Sequence, residues 1–130
     1  MGSVYFKDKY GIFHRYINGG GMEMDLLWTN SSPTSSFAAQ TITVPNANKY
    51  KFLCILVKVD AGNNGGVYTP LIPVIGQSVT SAVLWINQPY NYGQRHISYD
   101  GDDEITFENY VANSGVSNDV NVPLKIYGIK

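Results

Sequence analysis

Apolar residues along this chain fall in short runs that are separated by glycine, asparagine, aspartate and proline. The clearest run is KFLCILVKV, residues 51–59, which is too short and too rich in β-branched residues for a buried helix. Further strands are predicted where valine, isoleucine, threonine and aromatic residues concentrate, at 80–86, 94–99, 104–110 and 120–128. No window of about 12 residues combines a helical apolar period with caps at both ends. The pattern predicts an all-β chain with little or no helix.

Turn signals between these runs suggest how the strands are connected. Asn64-Gly65 and Asp100-Gly101 favour tight hairpin turns, because such turns need residues that accept positive φ angles. The segment 67–75 contains two prolines, which lack the amide hydrogen of a central strand, so we expect it at a sheet edge or a bulge. Strands spaced at about 8–12 residues with turns of this kind predict an antiparallel β-sandwich, jelly-roll-like in its connections.

Three consecutive glycines at residues 19–21 divide the chain into two parts. Residues 1–21 are predicted to form a neck- or stem-like segment that ends in this flexible joint, and residues 1–3 look like a tag remnant. Residues 22–130 are predicted to form one β-sandwich head domain, which is long enough to bury a core of its own.

The composition is that of a globular protein and narrows the range of partners. Hydrophobic residues make up 44% of the chain and charged residues 15%, with a formal net charge of -1. A chain with so little positive charge is not expected to bind nucleic acid. No apolar run approaches the roughly 18 residues that cross a bilayer, and nothing at the start resembles a signal peptide, so membrane insertion is not expected. The single cysteine, Cys54, is expected to act as a small buried hydrophobe.

Tests for catalytic chemistry give no motif. No serine stands in a G-x-S-x-G pattern, so nothing supports a hydrolase built on His96 and Asp100. The acidic cluster formed by Asp100, Asp102, Asp103 and Glu104 is best explained as a solvated hairpin turn, with a calcium site at Asp100, Asp102 and Asp103 as the weaker alternative. One cluster in a turn is not the pair of carboxylates that flanks a cleft in glycosidases. We predict a protein that needs no cofactor and is not an enzyme, with a glycan-degrading activity as the remaining alternative.

The stretch WINQPYNYGQRHISY, residues 85–99, is the strongest candidate for ligand binding. Its aromatic rings alternate with amide, guanidinium and imidazole groups, a combination that stacks on the C–H face of a sugar and bonds its hydroxyls. Pro89 and Gly93 predict a loop in the middle, and loops on a β scaffold often carry binding. Alternatively, Trp85 belongs to the core and the tyrosines cover a subunit contact. The candidate ligand-binding residues are Trp85, Tyr90, Tyr92, Gln94, Arg95, His96 and Tyr99.

Two other stretches resemble a known group of proteins. LLWTNSSPTSSFAAQTITV, residues 26–44, resembles the start of the C-terminal, distal domain of tail-fibre and minor structural proteins of tailed bacteriophages and prophages. The chain's end, VPLKIYGIK, resembles the last strand of those proteins, and the likeness spans residues 22–130, except that 60–118 match nothing specific. The resemblance implies that Trp28 and Phe37 anchor the two ends of an irregular crossing segment.

The same resemblance implies a function. It implies a β-sandwich at the tip of a virion tail fibre, often a homotrimer, that binds a saccharide or protein on the bacterial surface and contacts other fibre subunits. It carries over no catalytic residues, and it places production in the cytoplasm of the bacterial host. The alternative is a purely structural virion protein, such as a head fibre or a baseplate decoration, without receptor binding.

Overall fold

The computed structural model describes residues 4–7, 9–10, 13–16, 23–60, 63–88, 91–113 and 115–130. For 4–7, 13–16, 59–60, 63–65, 67, 82–88 and 91–92 only the backbone is described. The strands are β1 (Val4–Lys7), β2 (Phe13–Tyr16), β3 (Met24–Thr29), β4 (Gln40–Thr43), β5 (Phe52–Asp60), β6 (Asn63–Tyr68), β7 (Ile72–Pro73), β8 (Val79–Gln88), β9 (Asn91–Tyr99), β10 (Glu104–Phe107), β11 (Val111–Ala112), β12 (Gly115–Val116) and β13 (Val122–Ile129). The helical structure in the described part of the chain is one 3-10 turn, Ala47–Lys49.

Two antiparallel sheets form the body of the protein. Sheet 1 has the order β3-β13-β5-β6, with the short β7 also pairing with β5. Sheet 2 has the order β12-β11-β9-β10-β4, with β8 on the other side of β9. Strands β1 and β2 pair only with each other within the described residues. The predicted all-β sandwich is confirmed. In the described ranges no helix is long and apolar enough to cross a membrane.

The predicted strands are found at β5, β8, β9, β10 and β13, but two turn predictions are wrong in detail. Asn64-Gly65 lies inside β6, because Asn63 is already paired with Asp60 of β5, and the pair sits where the register of β5 and β6 shifts. The expected loop around Gly93 is a strand, since β9 begins at Asn91. The other hairpin is as predicted: Asp100-Gly101 follows β9, and Gly101 has a φ of 95°.

The core lies between the inner faces of the two sheets. Ile55 and Ile126 are paired across sheet 1, and both are fully buried. Ile97 and Phe107 are paired in the same way across sheet 2, and both are also fully buried. Because directly paired residues point to the same face, the register fixes which side chains meet in the middle. The buried cluster consists of Phe37, Val44, Ala47, Leu53, Ile55, Val57, Ile72, Ile97, Tyr99, Ile105, Phe107, Val122 and Ile126.

The outer face of sheet 1 is mostly apolar. Tyr127 is paired with Leu26 on one side and with Cys54 on the other. In the next row Leu56 is opposite Tyr68 on one side and opposite Lys125 on the other. The rings of Tyr68 and Tyr127 lie 6.2 Å apart between centroids. Leu26 is 53% exposed and Tyr68 is 54% exposed. Cys54 is a free, buried thiol, as its apolar surroundings predict, and burial raises its pKa. We call this surface the sheet-1 face.

The outer face of sheet 2 is polar instead. One row across four neighbouring strands consists of hydroxyl-bearing residues, each directly opposite the next: Thr80, Ser98, Thr106 and Thr41. The hydroxyls of Thr41 and Thr106 are hydrogen-bonded at 2.7 Å. The sandwich therefore presents two outer surfaces of opposite character.

Between the sheets lies a fully buried arginine, Arg95, on the inner face of β9. Its Nη1 donates to the carbonyl oxygens of Phe37 at 2.9 Å and Glu108 at 2.7 Å. Its Nη2 donates to those of Val120 at 3.1 Å and Asn118 at 3.4 Å. The guanidinium carbon also lies 5.7 Å from the centroid of the Phe37 ring. Burial lowers the pKa of Arg95 to about 10, which leaves it charged at neutral pH.

The segment 30–39 crosses from β3 in sheet 1 to β4 in sheet 2. Trp28 packs edge-on against Phe37, with centroids 6.4 Å apart, and stacks on Phe107 at 6.5 Å. Asn30 donates its amide to the carbonyl of Pro123 at 2.8 Å and accepts from the backbone of Ser32 at 2.8 Å. Aromatic contacts at both ends and one buried amide thus hold a segment that has no strand ladder of its own.

We predict that Arg95→Met lowers the free energy of unfolding by at least about 3 kcal/mol, because four carbonyl oxygens, held in one buried and three partly buried hydrogen bonds, lose their donor. Arg95→Lys should recover only part of this loss, since a single ammonium cannot reach all four carbonyls. Urea denaturation measures both values. As the matched control, His96→Met on the exposed side of the same strand should change stability by about 0.5 kcal/mol or less. An Arg95→Met protein as stable as the parent would contradict this role.

Candidate functional site

A groove of about 550 Å³ lies on the outer face of sheet 2. Strand β9 contributes three outward side chains to it and β8 contributes one, and the other four come from described residues between the end of β10 and the end of β12. The lining residues are Thr80, Gln94, His96, Ser98, Glu108, Asn109, Val111 and Val116. We call this the sheet-2 groove.

The groove forms because the chain after β10 continues along β9. The backbone N–H of Glu108 donates to the carbonyl of His96 at 3.0 Å. Further on, Val111 is paired with Gln94 and also with Val116. The first contact places Glu108 beside His96. The pairings of Val111 place it and Val116 in line with Gln94.

Two asparagines fix the backbone at this side of the groove. Asn109 Oδ1 accepts from the backbone N–H of Ala39 and from the side-chain amide of Asn118, both at 2.9 Å. Asn118 Oδ1 accepts from the backbone N–H of Tyr110 at 3.0 Å. Side-chain amides replace the missing strand partners here, so an irregular stretch is held in one conformation.

The groove offers polar and apolar contacts side by side. Gln94 provides an amide, His96 an imidazole and Glu108 a carboxylate, and the side chains of His96 and Glu108 are exposed. Val111 and Val116 are 52% and 62% exposed and form an apolar patch in the same groove. Donors and acceptors around an apolar patch suit a ligand with many hydroxyls and a C–H face, which is the chemistry of a saccharide.

The strand alternation divides the predicted site between two faces. Gln94 and His96 line the groove, whereas Arg95 and Tyr99 are fully buried. Arg95 bonds backbone carbonyls, as described above, and the Tyr99 hydroxyl donates to the carbonyl of Asp102 at 2.9 Å. Burial is the main cause that raises the pKa of Tyr99. The prediction that these two side chains contact a ligand at the surface therefore does not fit their positions.

Three further candidates lie outside the described residues, wholly or in part. Tyr90 is not described at all, and for Trp85 and Tyr92 only the backbone is described, in β8 and β9. Their proposed stacking on a sugar stays a prediction.

The acidic cluster is part of a hairpin turn. Asp100 Oδ1 accepts from the backbone N–H groups of Asp102 at 2.8 Å and Glu104 at 3.1 Å, and Asp102 accepts from the amide of Asn48. Among the described residues, no group of three or more His, Cys, Asp or Glu side chains is arranged to hold a metal ion. The calcium site considered for Asp100, Asp102 and Asp103 is therefore not supported, because the Asp100 carboxylate stabilises the turn instead.

Sequence reasoning missed most of the groove, although part of it was within reach. Ser98 follows Gln94 and His96 at a spacing of two, so the alternation of β9 alone assigns it to the same face. Glu108 holds an outward position in the predicted strand 104–110. Val111 and Val116 gave no signal, because β11 and β12 are two-residue strands and their positions depend on pairing with a distant part of the chain.

Comparison of the chain with protein-family models, with curated proteins and with solved structures returned no match.

Proposed function

We propose that this chain is the distal, receptor-binding domain of a bacteriophage tail fibre and that its sheet-2 groove binds a saccharide on the bacterial surface. The groove is the observation that carries the proposal: it combines Gln94, His96 and Glu108 with the exposed valines Val111 and Val116. The resemblance of residues 26–44 and of VPLKIYGIK to fibre-tip domains supports it. The proposed place of action is the virion tail fibre, after synthesis in the host cytoplasm.

The groove supports binding rather than catalysis. Glycoside cleavage by the common mechanism needs two carboxyl groups on either side of the scissile bond. Of the residues that line the groove, Glu108 alone carries a carboxylate. We therefore propose recognition of an intact saccharide, with no cofactor.

The proposal also includes self-assembly through the sheet-1 face, with other copies of this chain as the partners. Exposed large apolar side chains gathered on one surface mark interaction sites. On the sheet-1 face, Leu26 and Tyr68 are both more than half exposed. An assembly that covers this face leaves the polar sheet-2 face free to meet the cell. A homotrimer is the proposed form.

We predict that His96→Ala and Glu108→Ala each weaken adsorption of the labelled protein to bacterial cells, by up to about tenfold in Kd for one lost hydrogen bond. Binding is measured by flow cytometry on a panel of strains, with thermal melts to verify folding. Thr43→Ala is the matched control, because Thr43 is exposed on β4 and does not line the groove.

The same adsorption assay distinguishes a saccharide receptor from a protein receptor, and receptor binding from a purely structural role. Periodate treatment of the cells, which cleaves vicinal diols, should abolish adsorption, whereas protease treatment should not. Unchanged binding by both groove variants would contradict the sheet-2 groove. A protein that adsorbs to no strain but binds other virion proteins would favour the purely structural role.

We predict that native mass spectrometry of the 14.4 kDa chain shows a trimer and that Leu26→Glu and Tyr68→Glu shift it to monomer. A buried glutamate without a partner opposes association, since its desolvation is not offset. Thr41→Glu places the same charge on the outer face of sheet 2, opposite Thr106, and should leave the trimer intact. A parent protein that is monomeric at micromolar concentration would refute assembly through the described domain.

A further inference from the structure

A second cavity, of about 340 Å³, lies at an open side of the sandwich, among residues of β3, of β4 and of the segment that joins them. Within the described chain, β3 is an edge strand of sheet 1 and β4 is an edge strand of sheet 2. The side chains of Trp28 and Phe37 line this cavity, together with those of the serine-rich segment. We call it the edge cleft. No residue is shared between it and the sheet-2 groove.

The edge cleft combines an indole with a set of exposed hydroxyls. Trp28 is half-buried: it contacts Phe37 and Phe107, and part of its surface lines the cleft. Four hydroxyl-bearing residues line the cleft beside it and are exposed, namely Thr29, Ser31, Ser32 and Ser36. Within the part of the chain that the structure describes, none of these hydroxyls has a hydrogen-bond partner. Each is able to donate one bond and accept others from a ligand.

The backbone that carries these hydroxyls is fixed. The amide of Asn30 is buried and bonded at both ends, and the N–H of Ser35 donates to the carbonyl of Ser32 at 3.1 Å. At the far end, the Phe37 N–H donates to the Asn118 carbonyl at 2.9 Å and the Phe37 carbonyl accepts from Arg95. A ligand that enters the cleft does not have to order the segment first, which favours affinity.

The charge and size of the cleft restrict the ligand. None of its lining residues carries a charged side chain, so it offers nothing to neutralise a phosphate or a carboxylate and no ligand set for a metal. Its volume lies at the small end of the range for ligand sites, about 300–1,000 Å³. An aromatic surface with unpaired hydroxyls around it matches the C–H face and the hydroxyls of one sugar ring.

We infer that the edge cleft is a second, independent binding site, which takes a neutral monosaccharide unit against Trp28. It differs from the sheet-2 groove in chemistry, because the groove contains a carboxylate and an imidazole whereas the cleft contains hydroxyls and neutral amides. Trp28 then has two roles, as an anchor of the crossing segment and as the aromatic surface of the site.

Tryptophan fluorescence tests this inference directly. The chain has two tryptophans, so Trp85→Phe leaves Trp28 as the sole reporter. This variant is titrated with neutral methyl glycosides of glucose, galactose, mannose, rhamnose and N-acetylglucosamine. We expect a saturable change in emission with at least one of them. Adding Ser36→Leu, which fills the cleft, should raise the Kd by at least about tenfold, whereas Ser78→Leu, an exposed serine outside both cavities, should not.

A second measurement keeps the test valid if Trp85→Phe does not fold. In ¹⁵N-labelled parent protein, the same glycosides should shift the backbone amide signals of residues 29–32 and 34–36. Adding His96→Ala should leave the titration unchanged, which separates this site from the sheet-2 groove. No saturable response in either measurement would overturn the inference, as would a response that Ser36→Leu leaves intact and His96→Ala removes.

Discussion

Inside the sandwich, the guanidinium of Arg95 joins three pieces of backbone that lie outside the strands. It bonds the crossing segment at Phe37, the start of the groove-forming stretch at Glu108, and the chain before β13 at Asn118 and Val120. A buried cation is costly unless its donors are occupied. Here carbonyl oxygens accept from both Nη atoms, whereas the buried Nε has no hydrogen-bond partner among the described residues. The edge cleft and the sheet-2 groove both depend on this contact, since Phe37 lines one and Glu108 lines the other.

The sequence was sufficient for the fold class and for the longer strands, because these depend on local pattern. The run that forms β5 is continuously apolar from Phe52 to Val57, and its alternate residues Leu53, Ile55 and Val57 fill the core. Asp100-Gly101 was placed correctly because its conformation is set by its own residue types. Asn64-Gly65 was wrongly predicted as a hairpin turn, because asparagine and glycine also suit an irregularity within a strand. Only the pairing with β5 shows that the pair lies at a register shift.

The site was less predictable, because side-chain orientation within a strand decides which residues reach a ligand. Arg95 looked like a ligand contact beside His96, yet neighbours along a strand point to opposite faces. Period-two alternation applied to β9 separates Gln94, His96 and Ser98 from Arg95 and Tyr99. No local sequence pattern predicts that Val111 pairs with Gln94 of β9, because this contact joins residues that are distant in sequence. The serine-rich segment was likewise predicted only as an irregular crossing segment, because its fixed conformation depends on contacts with Pro123, Asn118 and Arg95, which are distant in sequence.

One edge of sheet 2 has a consequence for how the isolated domain behaves. Strand β8 is ten residues long and, within the described chain, pairs only with β9, so its other edge has no strand partner there. Natural proteins shield such edges with short strands, prolines or charged residues, and the sequence VTSAVLWINQ contains neither proline nor charge. At high concentration, this edge is a template for a strand from another molecule, so aggregation of concentrated solutions is expected to begin at β8.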